Sequence, residues 1–273
     1  MSRSGERLRR AGAGAVALAA VAATPSLGAD RNVELNFDFY GAGMHFASMR
    51  TNTIVNDREY KINSRIKTEG MVHWFARMVL RSRAEGSLNG SGGEPDWFES
   101  VSGGRWEGRS VALDFQPGGD VVAKIIPPPD NEEDKVPDAA RRGALDPLSA
   151  SVMNVLFKNP AEVCRQRVPI YDGRRRFDLV FTDPEPVELA KTRFSAFHGP
   201  AQKCELTVER IAGFRKKKEE NKEPPKPMQI WIARFEKDGL TLPVRLKADT
   251  NWGSMTAHLA RIKVRNLPPA KAD

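Results

Sequence analysis

Along most of the chain, apolar and polar residues alternate one for one. Val33, Leu35, Phe37 and Phe39 alternate with Glu34, Asn36 and Asp38. Strict alternation predicts a strand with one dry face and one wet face. Gly41-Ala42-Gly43 breaks it. Tyr60, Ile62 and Ile66 repeat the pattern, with Ser64 as the exception, and Val111, Leu113 and Phe115 repeat it again before Gly118-Gly119 turns the chain into Val121–Ile126. Tyr171-Asp172-Gly173-Arg174 holds an Asp-Gly step between extended runs, a strong hairpin signal. Phe177, Leu179 and Phe181 follow on one face, and Leu206 and Val208 continue the face of Cys204. From Met228 to Phe235 both faces are apolar, as in a central or ligand-facing strand. Leu240, Leu242, Val244 and Leu246 form a one-sided strand in which Pro243 implies an edge or a bulge. Met255, Ala257 and Leu259 open the last run, and Ile262 and Val264 fall out of phase with them, as a bulge produces.

Two segments depart from period two. Asp146-Pro147 is a helix start, with Asp at the cap and Pro at the first helical position. Leu145, Leu148, Val152, Val155 and Leu156 then recur at three- and four-residue spacing, which predicts an amphipathic helix of about three turns reaching Phe157. Residues 70–78 read as a second, shorter helix. Many antiparallel strands with one good helix make a mainly β, α+β chain. The helix must bury its apolar stripe on the dry face of the sheet. The expected architecture is a curved antiparallel sheet, or half-open β-barrel, wrapping that helix in a single domain from residue 30 to residue 273.

The first 29 residues read differently. Arg3, Arg7, Arg9 and Arg10 precede a short apolar run from Ala11 to Ala23, and small residues lead to Ala29. This is the pattern of a secretory signal peptide cleaved between Ala23 and Ala29. No cysteine follows it, so the expected product is an exported periplasmic protein rather than a lipoprotein. The whole chain carries a net charge of +8, but residues 1–29 hold four of its arginines and one of its acids, which leaves +5. That balance, with export, argues against a nucleic-acid partner. Export also bears on Cys164 and Cys204, the two cysteines of the chain. An oxidising compartment favours pairing them. The segment 215–227, RKKKEENKEPPKP, mixes charge with proline and reads as a solvated hairpin tip, or alternatively as a basic patch for anionic lipid headgroups. Pro127 to Lys135 reads as a loop and residues 267–273 as a frayed tail.

Little in the chain points to chemistry. His45, His73, His198 and His258 are far apart in sequence, and none has a ligand partner at metal spacing. There is no Gly-x-Ser-x-Gly elbow and no Ser-x-x-Lys at a helix start. Gly90-Ser91-Gly92-Gly93 does not continue into a phosphate-binding Lys-Ser/Thr. No catalytic residue, metal or cofactor is therefore assigned. What stands out is apolar surface: Trp74, Phe75 and Met78, together with Leu148, Val152 and Trp231, are the candidate lining of a groove between sheet and helix. Such pockets are mostly hydrophobic with few polar groups.

The order of these motifs resembles one family. The alternating first strand, Asp146-Pro147-Leu148-Ser149, Tyr171 to Arg176 with Phe177 and Leu179, Ile230-Trp231-Ile232 and Leu242-Pro243-Val244-Arg245-Leu246 are similar to the domain of unknown function 3108 family, from Val33 to Val264. The resemblance implies a mostly β, half-closed barrel around a helix in an exported Gram-negative envelope protein, and it transfers no catalytic residues. The charged insert at 215–227 departs from the family pattern. The expected function is non-enzymatic. A lipid-like ligand or an acylated protein partner would bind in the apolar groove in support of envelope integrity, with peripheral contact to the membrane. The alternatives are a scaffolding protein whose core is filled by its own helix and, more remotely, a hydrolase of envelope polymers.

Overall fold

The structure is a computed structural model that describes residues 30–89, 92–129, 135–214, 226–250 and 253–267. Residues 1–29, which the sequence suggests are a signal peptide, most of the 215–227 insert and the tail beyond residue 267 lie outside the described residues. Before the helical segment come β1 (Arg31–Gly41), β2 (Met44–Val55), β3 (Glu59–Thr68), β4 (Met78–Asn89), β5 (Gly92–Gly104), β6 (Ser110–Phe115) and β7 (Val121–Ile126). After it come β8 (Arg167–Tyr171), β9 (Arg176–Leu189), β10 (Gly199–Ala212), β11 (Met228–Phe235), β12 (Leu240–Thr250) and β13 (Gly253–Asn266).

These strands form one 13-stranded sheet in the order β7-β6-β5-β4-β3-β2-β1-β13-β12-β11-β10-β9-β8. Every strand pairing is antiparallel. Each half is a meander, and the first and last strands join the halves at the centre: Arg31 pairs with Asn266 and Gly41 with Met255. The expected bulges are present. Along β13 the register with β1 slips between Leu259 and Arg261. Along β12 it slips between Pro243 and Arg245, so the ladder steps where proline has no N–H to give.

The sheet curls without closing. Its free edges are β7 and β8, and the segment between them crosses the concave face as a strap. It contains α2 (Asp138–Arg141), α3 (Pro147–Ser151), a π-helical turn (Val152–Leu156) and α4 (Pro160–Val163), while α1 (Gly70–Phe75) lies in the β3–β4 connection. The expected three-turn helix is thus divided. The Asp146 cap and Pro147 start it as read, with Asp146 Oδ1 accepting from the Leu148 and Ser149 N–H groups at 2.9 and 3.0 Å. The Ser151 hydroxyl then donates to the Leu148 carbonyl at 2.6 Å. This competes with the helical ladder, and the next turn widens. Asn159 caps α4 with Pro160 at its first position.

At one end the turn between β8 and β9 pulls the two edges together. Arg174 Nη2 donates to the carbonyls of Ile126 at 3.1 Å and Pro127 at 2.8 Å, and Tyr171 packs with Val111, Leu113 and Val121 of the opposite half. Gly173 makes this approach possible: its φ is +90°, and a Cβ there would stand 2.1 Å from Val111 Cγ1. Only glycine meets both demands.

Candidate functional site

Between the strap and the inner face of the sheet, chiefly its β1–β6 half, lies a cavity of about 690 Å³, which Leu242, Arg245, Leu246 and Ala257 of β12 and β13 also line. Its walls follow from register. On the inner face of four adjacent strands, Thr51, Ser64, Ser82 and Ser100 stand directly opposite one another, flanked by Leu35 of β1 and Val111 of β6. The next row toward the β1–β2 turn is apolar: Phe37, Met49, Ile66 and Leu80. The row on the other side runs through Val33, Thr53, Ile62, Ala84, Phe98 and Leu113. A belt of hydroxyls therefore crosses an otherwise greasy wall. The hydroxyls serve one another: Thr51 Oγ1 donates to Ser64 Oγ at 3.4 Å, and Ser82 and Ser100 share a hydrogen bond of 2.9 Å. Paired in this way, they cost little to bury and keep spare lone pairs toward the cavity. Being small, they also leave the space itself.

The strap closes the cavity with Pro147, Leu148, Ser151, Val152, Val155 and Leu156. Beyond the Val33 row, at the start of β3, the strap is seated on a polar cluster. Tyr60, Asp146 and Ser149 are fully buried, and Tyr60 Oη, Asp146 Oδ2 and Ser149 Oγ lack completed hydrogen bonds. Burial pushes the Asp146 carboxyl up to about 6, with the Ser149 hydroxyl and the Ser149 and Leu148 N–H groups acting in the opposite direction. At the other end the lining includes Trp106, Arg109 and Arg174, and Trp106 and Arg109 are exposed, so the cavity reaches solvent there. Arg245 also lines it and lies over the Trp231 ring at 5.3 Å.

Across from the cavity the strap is bolted to the second half. Cys164 and Cys204 are bridged, with Cα atoms 5.6 Å apart and both residues buried. The bridge ties the end of α4 to β10 amid Val163, Val168, Ile170, Phe181, Leu206 and Ile230. Thr241 Oγ1 donates to the Lys158 carbonyl at 2.6 Å, and Leu145 pairs in parallel with Ile170.

Of the six groove candidates, Leu148 and Val152 line the cavity. Trp74 and Phe75 do not. They sit on α1, which buries none of its residues, and both point into solvent. Met78, which opens β4, is partly buried outside the cavity lining. Trp231 is buried but also absent from the lining: its neighbours Ile230 and Ile232 face the disulfide cluster, while Trp231 packs in the cluster that holds Phe197 and Phe235. Both faces of β11 are covered, which explains its two-sided apolar sequence. The hydroxyl belt was not among the candidates. Its signal is small residues between charged or amide ones at alternate positions, as in Arg81-Ser82-Arg83 and Asn63-Ser64-Arg65. Among the described residues no group of three or more His, Cys, Asp and Glu side chains could hold a metal ion.

The order of strands, the strap and the hairpin at Asp172-Gly173 can now be set beside known proteins. The model of a family described as a protein of unknown function, DUF3108, matches residues 34–260. The chain belongs to the DUF3108 family. That match spans β2 to β12 and the whole strap, with most of β1 and the first part of β13. Among solved structures, a crystal structure titled as a β-barrel-like protein of domain of unknown function DUF1849 from Brucella abortus is similar at 12% identity. The similarity covers 88% of this chain and 99% of that one, with a TM-score of 0.48. No curated protein matches the chain.

Proposed function

We propose that this DUF3108 protein is a non-enzymatic periplasmic protein that holds a lipid-like ligand, or the acyl group of a modified partner, in the cavity between β1–β6 and the strap, and so supports the cell envelope. The cavity carries the reading. Its volume of about 690 Å³ falls within the roughly 300–1,000 Å³ of small-molecule sites. Its walls are apolar rows, suited to a hydrocarbon chain, crossed by a hydroxyl belt suited to an ester, amide or hydroxyl group. Arg109 and Arg174 at the mouth suit an anionic head. The buried disulfide supports an oxidising compartment.

Solvent extraction of the purified protein, followed by mass spectrometry, is expected to release a co-purified lipid. Protein stripped of it should bind a fluorescent fatty acid at a single saturable site. No extractable lipid, together with no probe binding, would overturn the proposal.

A further inference from the structure

The β1–β2, β3–β4 and β5–β6 connections lie at one end of the sheet, because β1, β3 and β5 all run toward it. The β3–β4 connection joins its neighbours: the Glu69 N–H donates to the Phe46 carbonyl near the start of β2 at 2.7 Å, and the Arg105 N–H of the β5–β6 connection to the Arg77 carbonyl at 2.8 Å. This end holds large apolar side chains in water. Trp74 is 88% exposed, Phe75 82%, Met71 65%, Met44 52% and Trp106 47%. Since α1 buries nothing, its rings add nothing to the folded core. Large exposed apolar side chains gathered at one end in this way mark an interaction surface.

Charge selects the partner. Arg77, Arg105 and Arg109 are exposed on the same connections, with Glu107 as the acid among them. The neighbouring carboxylate, Glu69, is engaged by Lys67 and by the Ser48 hydroxyl, each at 2.8 Å. Tryptophan and phenylalanine at a loop tip, ringed by guanidinium groups, match the headgroup region of an anionic bilayer. The cavity mouth lies at this same end, where Trp106 and Arg109 line it.

We propose that this end docks on a bilayer containing anionic phospholipid, with Trp74 and Phe75 among the headgroups and the arginines on the phosphates. Docked in this way, the molecule presents its cavity mouth to the membrane. The proposal stands on the exposed rings and charges and not on what the cavity holds.

The test uses the chain from Asp30 onward, which contains every described element. It is sedimented with vesicles of phosphatidylcholine alone, or of phosphatidylcholine with about a quarter phosphatidylglycerol. Binding to the anionic vesicles is expected, stronger than to the neutral ones and weakened by salt. The pairs Trp74→Ser with Phe75→Ser, and Arg77→Glu with Arg105→Glu, should each weaken it by at least about tenfold. Their thermal midpoints and fatty-acid probe binding should stay at wild-type values, because none of the four side chains is buried or lines the cavity. Absence of wild-type binding to either vesicle overturns the proposal, as does binding undiminished in both pairs. A concentration-dependent dimer that disappears in the Trp74/Phe75 pair assigns the end to a second copy and overturns it as well. Probe binding that persists while vesicle binding fails leaves the cavity proposal standing and removes only this one.

Discussion

The two halves of the sheet face the same strap and meet it differently. On the β8–β12 side, Ala150 and Val163 of the strap lock among Val168, Ile170, Phe181, Leu206, Ile230 and Ile232 around the Cys164–Cys204 bridge. On the β2–β5 side, the directly opposed positions are Thr51, Ser64, Ser82 and Ser100, and a cavity of about 690 Å³ remains. Both halves have continuous antiparallel ladders. The size of the inward side chains decides which half is packed and which is a container. The anchoring differs too. The packed half adds a covalent bridge to its apolar contacts, whereas on the open half Val152 and Leu156 of the strap pack with Val33, Tyr60 and Ile62, beside a buried polar cluster of Tyr60, Asp146 and Ser149 whose hydrogen bonds are incomplete.

Four changes test this contrast. The largest effect is expected from Cys164→Ser with Cys204→Ser. The bridge spans 40 residues, and in the chain-entropy view its loss costs about 4 kcal/mol, read as a lower urea midpoint. An unchanged midpoint would mean that apolar contacts alone hold the packed half.

Next is Gly173→Val, which places a branched side chain at φ +90° against Val111. Denaturant unfolding should show a loss of about 3 kcal/mol. Trimming the neighbour with Val111→Ala should recover only the steric part.

Asp146→Asn tests the buried polar cluster. Asparagine still caps the helix, so the change removes the charge. The folded carboxyl titrates near 6, above its ordinary 3.8. Folding therefore takes up a proton between these values, and ionisation penalises the folded state at higher pH. Relative to Asp146→Asn, the wild type should lose about 3 kcal/mol above about pH 6 and regain it as pH falls toward 4. Melting curves across that range check it, and a constant difference would remove the buried charge from the account.

The smallest effect on stability, and the most informative for function, comes from Ser82→Leu with Ser100→Leu. This makes the open half resemble the packed one. Fatty-acid probe affinity should drop at least about tenfold, while the melting midpoint holds or rises as methylenes fill space. Undiminished probe binding would place the ligand elsewhere.

The sequence disclosed the two halves unequally, for the same physical reason. Strands whose inner face is apolar, such as β1, β6, β9 and β12, appear in the alternation, and so do the bulges near Pro243 and Ala260. β2, β4 and β5 do not, because their inner faces carry Thr51, Ser82 and Ser100, which look no different from wet residues. Ser64 appeared as a flaw in a strand when it was one rung of the belt. The container was therefore hidden in the feature that makes it. Trp74 and Phe75 misled in the opposite direction. Apolar character says that a side chain avoids water, and it does not say whether the fold or a second surface takes it up. The cap at Asp146 and the turn at Gly173 were legible because they rest on local backbone demands, which a few neighbouring residues meet.

The pairing of β1 with β13 carries a consequence for how the molecule comes into being. The first and last strands are neighbours, with the Leu267 N–H donating to the Asp30 carbonyl at 2.7 Å. During synthesis two separate ribbons can assemble, but the seam that unites them waits for the final 14-residue strand. Such late closure makes the molecule a natural subject for circular permutation. Joining residue 267 to residue 30 and reopening the chain in the strap would turn its slowest contact into a hairpin.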